Sequence, residues 1–422
     1  MVRFAAQVAA DPDAATTNQT EHWADLKAAY RLIDNDHVTF DAIARPHWEA
    51  TKNRSSGDWL ILADTTEVDF GYQRQVPGLG PIGTGSRRGF LLHSGLMVGA
   101  NTEEVIGLAG ARLRYRKPKP QKESRTQRLA RDRETQVWSE LVDQIGPPPP
   151  GARFIQVCDR GADNFEVYCR LLLNRQDWVI RVAQKHRLIF HQGEKIPLSQ
   201  ALDRFIVSGV YQLIYRSKEG SRTVDIEVRR GVVMVPRPQA ASPWVREQGI
   251  TLIGMNVIEV REVNAPPGVT PLNWVLYTSL SVSCFEDAYR TIEYYEKRPL
   301  VEEYHKALKT GCQVESRQYR TSDRLESITS LLSITAVRLL QLRAAARTAP
   351  DTPAQQVVPS HWVEVLRRLR RNRPIETARQ FYRELAGLGG HLLRKCDGEP
   401  GWITIWRGFE KLHFAIRVLD DY

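Results

Sequence analysis

The sequence predicts an α/β protein, with a mixed-sheet core interrupted by an all-β insertion and flanked by helical regions at both ends. Three observations lead there. Between residues 59 and 186, apolar runs of strand length alternate with helical patterns in the order βββαβαβ, which suits a mixed sheet and not a doubly wound one. From 187 to 283 the hydrophobic period falls to two and helical signal fades. Residues 1–58 and 284–422 return to the period of a helix.

Each element has a local reason. AAYRLIDN and VTFDAIARPHWEATKN are the clearest helices of residues 1–58. DWLILADTTEVDF reads as a buried strand running into a turn, and RRGFLLHSGLMVGA and EEVIGLAGARLRYR as two further strands of an antiparallel meander. ETQVWSELVDQIG is a helix closed by GPPPPG, RFIQVCDRGAD a strand ending in an acid, NFEVYCRLLLNRQ a helix and DWVIRVAQ a strand. GVYQLIYRS, TVDIEVRRGVVMV, ITLIGMNVIEVREV and NWVLYTSL build the insertion. Residues 284–315 resume the core with CFEDAYRTIEYYEKR and the segment after it, where Pro299 predicts a kink or a restart. Residues 316–422 are helical, from DRLESITSLLSITAVRLLQLRAAAR to a Trp-rich end, with a linker at 349–359.

The composition narrows the class of function. A 42% hydrophobic content over 422 residues supports real cores. No uninterrupted apolar run approaches the ~18 residues of a membrane span, and the N-terminus lacks a signal-peptide core. Five scattered cysteines without metal spacing read as free thiols of a reducing cytoplasm. The 59 Lys and Arg against 49 Asp and Glu give a net charge of +10, concentrated in residues 112–133 and 365–374. Such tracts suit a polyanion, most simply nucleic acid, followed along its phosphates.

The candidate chemistry lies in carboxylates. Asp64 in LILADTT and Asp159 in IQVCDRGAD each follow an apolar run, so each emerges at the lip of a sheet. Alone, either is an ordinary turn or cap residue. YYEKRPLVEEYHKALKTG, residues 294–311, adds a third acid. Taken as one helix at roughly 100° per residue, it gathers Tyr295, Arg298, Glu302, His305, Lys306 and Lys309 on one arc and apolar residues on the other. Three clustered carboxylates need cations to share their site. Two Mg²⁺ ions roughly 3.5–4 Å apart, with Mn²⁺ able to substitute, would meet that need and support in-line attack at phosphorus.

Tyr295, Arg298, Glu302 and Lys309 form Y-x2-R-x3-E-x6-K. With DTT at Asp64 and CDR-x-AD at Asp159, the chain resembles the IS-four family of bacterial insertion-sequence transposases, the Tn-five-like group, over nearly its whole length. The resemblance implies an RNase H-like core with a β insertion before the glutamate helix, and a cut-and-paste transposase that nicks transposon ends, forms hairpins and transfers strands. It makes Asp64, Asp159 and Glu302 catalytic metal ligands. Tyr295, Arg298 and Lys309 would contact phosphates, His305 and Lys306 would sit beside DNA, and Arg181 and Trp274 would hold a distorted DNA end. The C-terminal helices would form a homodimer that pairs two inverted repeats. Family members carry a further basic helix at the start, so a truncated end-binding region is expected, with the fold spared and end recognition weakened. A shortened regulatory protein that inhibits by dimerisation, and an RNase H-like nuclease, stay open as alternatives.

Overall fold

A computed structural model describes residues 1–422 except 54–55, 72–75, 84–85, 103, 117–123, 125–133, 218–219, 395–397 and 421–422. Most of the first basic tract thus lies outside the described residues. The chain divides into two compact units, one of residues 1–53, 65–118 and 300–422, the other of residues 54–64 and 119–299.

In chain order the helices α1 (Val2–Ala10), α2 (Thr16–Gln19), α3 (Trp23–Ile33) and α4 (Phe40–Lys52) precede the strand β1 (Gly57–Asp69). The strands β2 (Gly80–Pro81), β3 (Arg88–Gly99) and β4 (Val105–Arg114) follow. Then come α5 (Gln136–Ile145), β5 (Ala152–Cys158), α6 (Phe165–Leu173) and β6 (Asp177–Arg181). The next stretch holds β7 (Leu188–His191), β8 (Glu194–Pro197), α7 (Leu198–Asp203), β9 (Ile206–Ser217), β10 (Gly220–Pro236), α8 (Pro243–Glu247), β11 (Leu252–Val263) and β12 (Asn273–Thr278). The chain closes with α9 (Phe285–Glu296), α10 (Pro299–Lys306), α11 (Ser322–Thr348), α12 (Ala354–Val357), α13 (Ser360–Leu369), α14 (Ala378–Leu388) and α15 (Trp402–Asp420). It is a mixed α/β fold whose strand pairs are mostly antiparallel.

The first unit is built around α11. An apolar stretch of this helix is long enough to cross a membrane, but 78% of that window is buried in the protein, the mark of a core helix. Its serines and threonines explain how a polar stripe survives there. Thr329 and Thr335 donate to the carbonyls of Leu325 and Leu331 one turn back, and Ser330 donates to the Phe40 carbonyl at the start of α4. These three buried hydroxyls are thereby satisfied. Thr39 caps α4 by accepting from the Ala42 amide at 3.2 Å. In the same unit β3 pairs antiparallel with β4, and the second half of β1 runs beside β3, close enough that a Cβ on Gly89 would fall 1.9 Å from the Val68 carbonyl oxygen.

The second unit contains the first half of β1, which pairs in parallel with β5, and β5 pairs in parallel with β6. Beyond β6 the sheet turns antiparallel through β12, β11 and β10. Residues 187–283 are thus dominated by strands, but two short helices, α7 and α8, interrupt them. At six and five residues they are shorter than two turns and leave no periodic trace in the sequence. A buried ion pair ties the turn between β5 and α6 to the segment after β6. Asp163, with a fully buried side chain, receives the Arg187 guanidinium, the Tyr168 hydroxyl at 2.9 Å and the Ala183 amide at 2.7 Å.

The segment 294–311 is not one helix. α9 stops at Glu296 and α10 restarts at Pro299, as the proline predicts. A wider π-type turn then covers Ala307–Gly311. A single progression of roughly 100° per residue is therefore broken twice. Tyr295 and His305, which that progression set on a polar arc, are 8% and 6% exposed.

Candidate active site

In the second unit two acidic residues stand together at the mouth of the parallel pair. Ala63 is the register partner of Cys158, so Asp64 and Asp159 are each the next residue along neighbouring strands about 4.8 Å apart. Apolar burial brings them there. Leu60, Ile61, Leu62 and Ala63 on one strand, and Ile155, Val157 and Cys158 on the other, are almost wholly buried, while the two aspartates are half-buried. The Cys158 thiol forms a dry floor. Burial pushes its pKa well up, and the nearby Asp159 and Asp64 carboxylates add to the effect.

Asp159 is fixed by its own turn, accepting the Gly161 amide at 2.8 Å. Gly161 is needed for that closure, since a Cβ there would lie 3.0 Å from the Trp138 ring and 3.1 Å from Asp159 Oδ1. Asp64 is met by Arg298, whose Nη1 donates to Oδ2 at 3.0 Å, both side chains being less than a fifth exposed. Arg298 stands in the short link between α9 and α10, its amide bonded to the Tyr295 carbonyl.

Around the aspartates the unit gathers cations and rings. Arg181, the last residue of β6, donates to the Tyr295 hydroxyl, which burial holds above its ordinary pKa against the pull of Arg181 and Arg298. The half-buried Trp274 ring lies 6.3 Å from that of Tyr295. Of the residues named from sequence, Asp64, Asp159, Arg181, Trp274, Tyr295 and Arg298 thus share this unit. Sequence reasoning missed two neighbours. Lys185 donates to Asn273 on β12, and its pKa is lowered by burial and by Arg160 and Arg181, with Glu259 opposing. Arg160 directly follows Asp159 and is exposed. The CDR triplet and the QKH after β6 were the available signals.

Glu302, His305, Lys306 and Lys309 belong to the first unit. Glu302 lies in the first turn of α10 and is half-buried. Lys306 is exposed and pairs with Glu303 at 3.0 Å, while Glu303 also receives Arg343 at 2.6 Å. Lys309 pairs with Glu315 at 3.2 Å, and Glu315 in turn accepts the Asp69 amide. His305 is buried against Tyr304, ring centroids 5.4 Å apart. The same unit holds a separate group of potential ligands, Asp11, Asp13 and His413, whose donor atoms lie within 4.8 Å of one another.

The chemistry of the first donor pair suits a hard divalent ion. Two carboxylates side by side, beside a Cys158 thiol whose raised pKa keeps it protonated, favour Mg²⁺ or Mn²⁺. The cations about them suit an anionic substrate.

No protein-family model matches the chain. Among solved structures it is similar to the piggyBac transposase synaptic complex with hairpin DNA, at 12% identity over 85% of this chain and 72% of that one, with a TM-score of 0.34. A score of that size leaves the reading of the site to its own residues.

Proposed function

We propose that the chain is a DDE transposase, a DNA endonuclease and strand transferase acting at transposon ends. The observation that carries this reading is the pair Asp64 and Asp159 at the end of the β1–β5 parallel pairing, with Arg298 bonded to Asp64, Arg160 next to Asp159, and Arg181 and Lys185 on and just after the neighbouring β6. The succession of pairings, β4 to β3, β3 to β1, β1 to β5 and β5 to β6, with the last two parallel, supports an RNase H-like core. Glu302 enters as third carboxylate on the strength of the sequence motif. Mg²⁺, when bound, would activate the attacking oxygen and stabilise the leaving one.

The protein's own groups do the rest. Asp64, within β1, and Asp159, just beyond the end of β5, would hold the ion. The arginines grip phosphate oxygens with charge-assisted hydrogen bonds. Trp274 and Tyr295 offer ring faces to a base drawn out of the stack, worth about 1–3 kcal/mol of stacking. Water cuts one strand, the freed 3′-hydroxyl attacks the opposite strand to close a hairpin, a second water reopens it, and the 3′-end then attacks target DNA. Two copies of the chain acting together would hold two inverted repeats.

The test uses the purified protein, the DNA flanking its own gene, and Mg²⁺ or Mn²⁺. Nicks and hairpins should appear on a denaturing gel and vanish in Asp64→Asn, and in Glu302→Gln with DNA binding and melting temperature kept. Full cleavage by either variant would remove that residue from the site.

A further inference from the structure

Arg298 holds the feature with the widest consequence. Its guanidinium is bound to Asp64 Oδ2 at 3.0 Å, and the same carboxylate is one of the two that a divalent ion would use. The pair is largely shielded from solvent, at 18% and 19% side-chain exposure, so its attraction is weakly screened. Arg298 lies in the two-residue turn between the end of α9 at Glu296 and the restart at Pro299, its amide bonded to the Tyr295 carbonyl. Its side chain can change partner by a rotamer change alone, with that backbone in place.

We infer that Arg298 is an internal counter-ion that competes with the divalent cation for Asp64, so that a phosphate drawing Arg298 away raises the site's affinity for the cation. This rests on the transposase reading above and deepens it. The argument is one of charge. Two adjacent carboxylates repel each other unless a cation joins them. Arg298 meets that need in the protein alone, and the price is a positive charge held against the incoming ion. A DNA phosphate offers Arg298 a bidentate partner of its own kind. Once Arg298 turns to it, Asp64 is given over to the metal and the positive charge is offset. By linkage the reverse also holds, and the metal strengthens the grip on phosphate by the same factor. Cation and DNA then assemble together, and the metal is held weakly without substrate.

The experiment titrates Mn²⁺ by electron paramagnetic resonance into the full chain, into Arg298→Met, which keeps length without charge, into Arg298→Lys, and into Asp64→Asn. Binding lost in Asp64→Asn identifies this site against any ion held at Asp11, Asp13 and His413. Arg298→Met should bind Mn²⁺ about tenfold more tightly than the wild type, from removal of one positive charge a few ångströms from a divalent ion, and should melt lower in EDTA. Arg298→Lys should stay near the wild type. The affinity for a DNA duplex should rise on adding Mn²⁺ in the wild type and rise less in Arg298→Met. Equal or weaker Mn²⁺ binding by Arg298→Met, with Asp64-dependent binding intact in the wild type, overturns the competition and leaves the metal site standing. No Asp64-dependent Mn²⁺ binding in any form overturns the transposase reading itself.

Discussion

Asp13 offers a prediction whose size can be worked from its surroundings. It lies in the turn between α1 and α2, in a pocket that also contains Asp11, His413 and the Arg317 guanidinium, which donates to the carbonyls of Pro12, Ala14 and Cys312. Burial raises the Asp13 pKa from 3.8 to about 6, helped by the Asp11 charge and a hydrogen bond to Asp11, and opposed by Arg317. A carboxyl whose folded pKa lies above its unfolded one is held by the native state in its protonated form. Its stabilising contribution is complete below the unfolded value of 3.8 and is lost as pH rises through about 6. Two units at 1.36 kcal/mol each come to about 3 kcal/mol surrendered across that window. Asp13→Asn keeps the shape and removes the proton, so it should be more stable than the wild type at neutral pH by up to that amount. The gain should shrink to near zero at about pH 4. Urea unfolding of both proteins at stepped pH measures the difference. Parallel stability curves across the window would refute the buried, protonated Asp13.

Other outcomes follow from packing and pairing. Arg187→Met leaves the fully buried Asp163 carboxylate without its guanidinium; the loss of stability should be about 3–5 kcal/mol, read as a lowered urea midpoint, and Arg187→Lys should recover part of it. Gly408 on α15 approaches α14 so closely that a Cβ would fall 2.1 Å from the Leu385 carbonyl oxygen. Gly408→Ala must force those helices apart at a cost of about 1–3 kcal/mol, whereas Gly401→Ala, with nothing within 4 Å, should leave the melting temperature unchanged. Gly161→Ala pushes on Trp138 and on Asp159 itself, so it should cut DNA cleavage more than it lowers the melting temperature; normal cleavage would mean that the turn does not set the Asp159 carboxylate.

What the chain announces by itself is what depends on near neighbours. An apolar run followed by an acid marks a strand ending at a lip; IQVC is such a strand, ending just before Asp159, whereas β1 runs on through Asp64 to Asp69 and only its pairing with β5 stops at Ala63. Pro299 predicts the restart of α10, because its ring cannot accept a helical turn before it and suits the first turn after it. The alternation from GVYQLIYRS to NWVLYTSL marks β9 to β12, since a sheet face repeats every second residue, while the four-residue β7 and β8 are too short to show it. The short α7 and α8 escape because one or two turns carry no period. The same local logic fails where a distant partner decides. The arc drawn through 294–311 set Tyr295 and His305 on a polar side, yet both are buried, because the helix phase restarts at Pro299 and each unit's core takes the side chains it can pack. The parallel pairing of β1 with β5 joins residues some ninety positions apart, and the Arg298–Asp64 pair spans 234. Asp13 is an ordinary loop acid in the sequence, and only its burial beside Asp11 in the folded chain raises its pKa, against the pull of Arg317. Residue types and their spacing decide which groups can do chemistry. Contacts across hundreds of residues decide which charges meet, because a charge is set by whatever lies within a few ångströms, however far away along the chain.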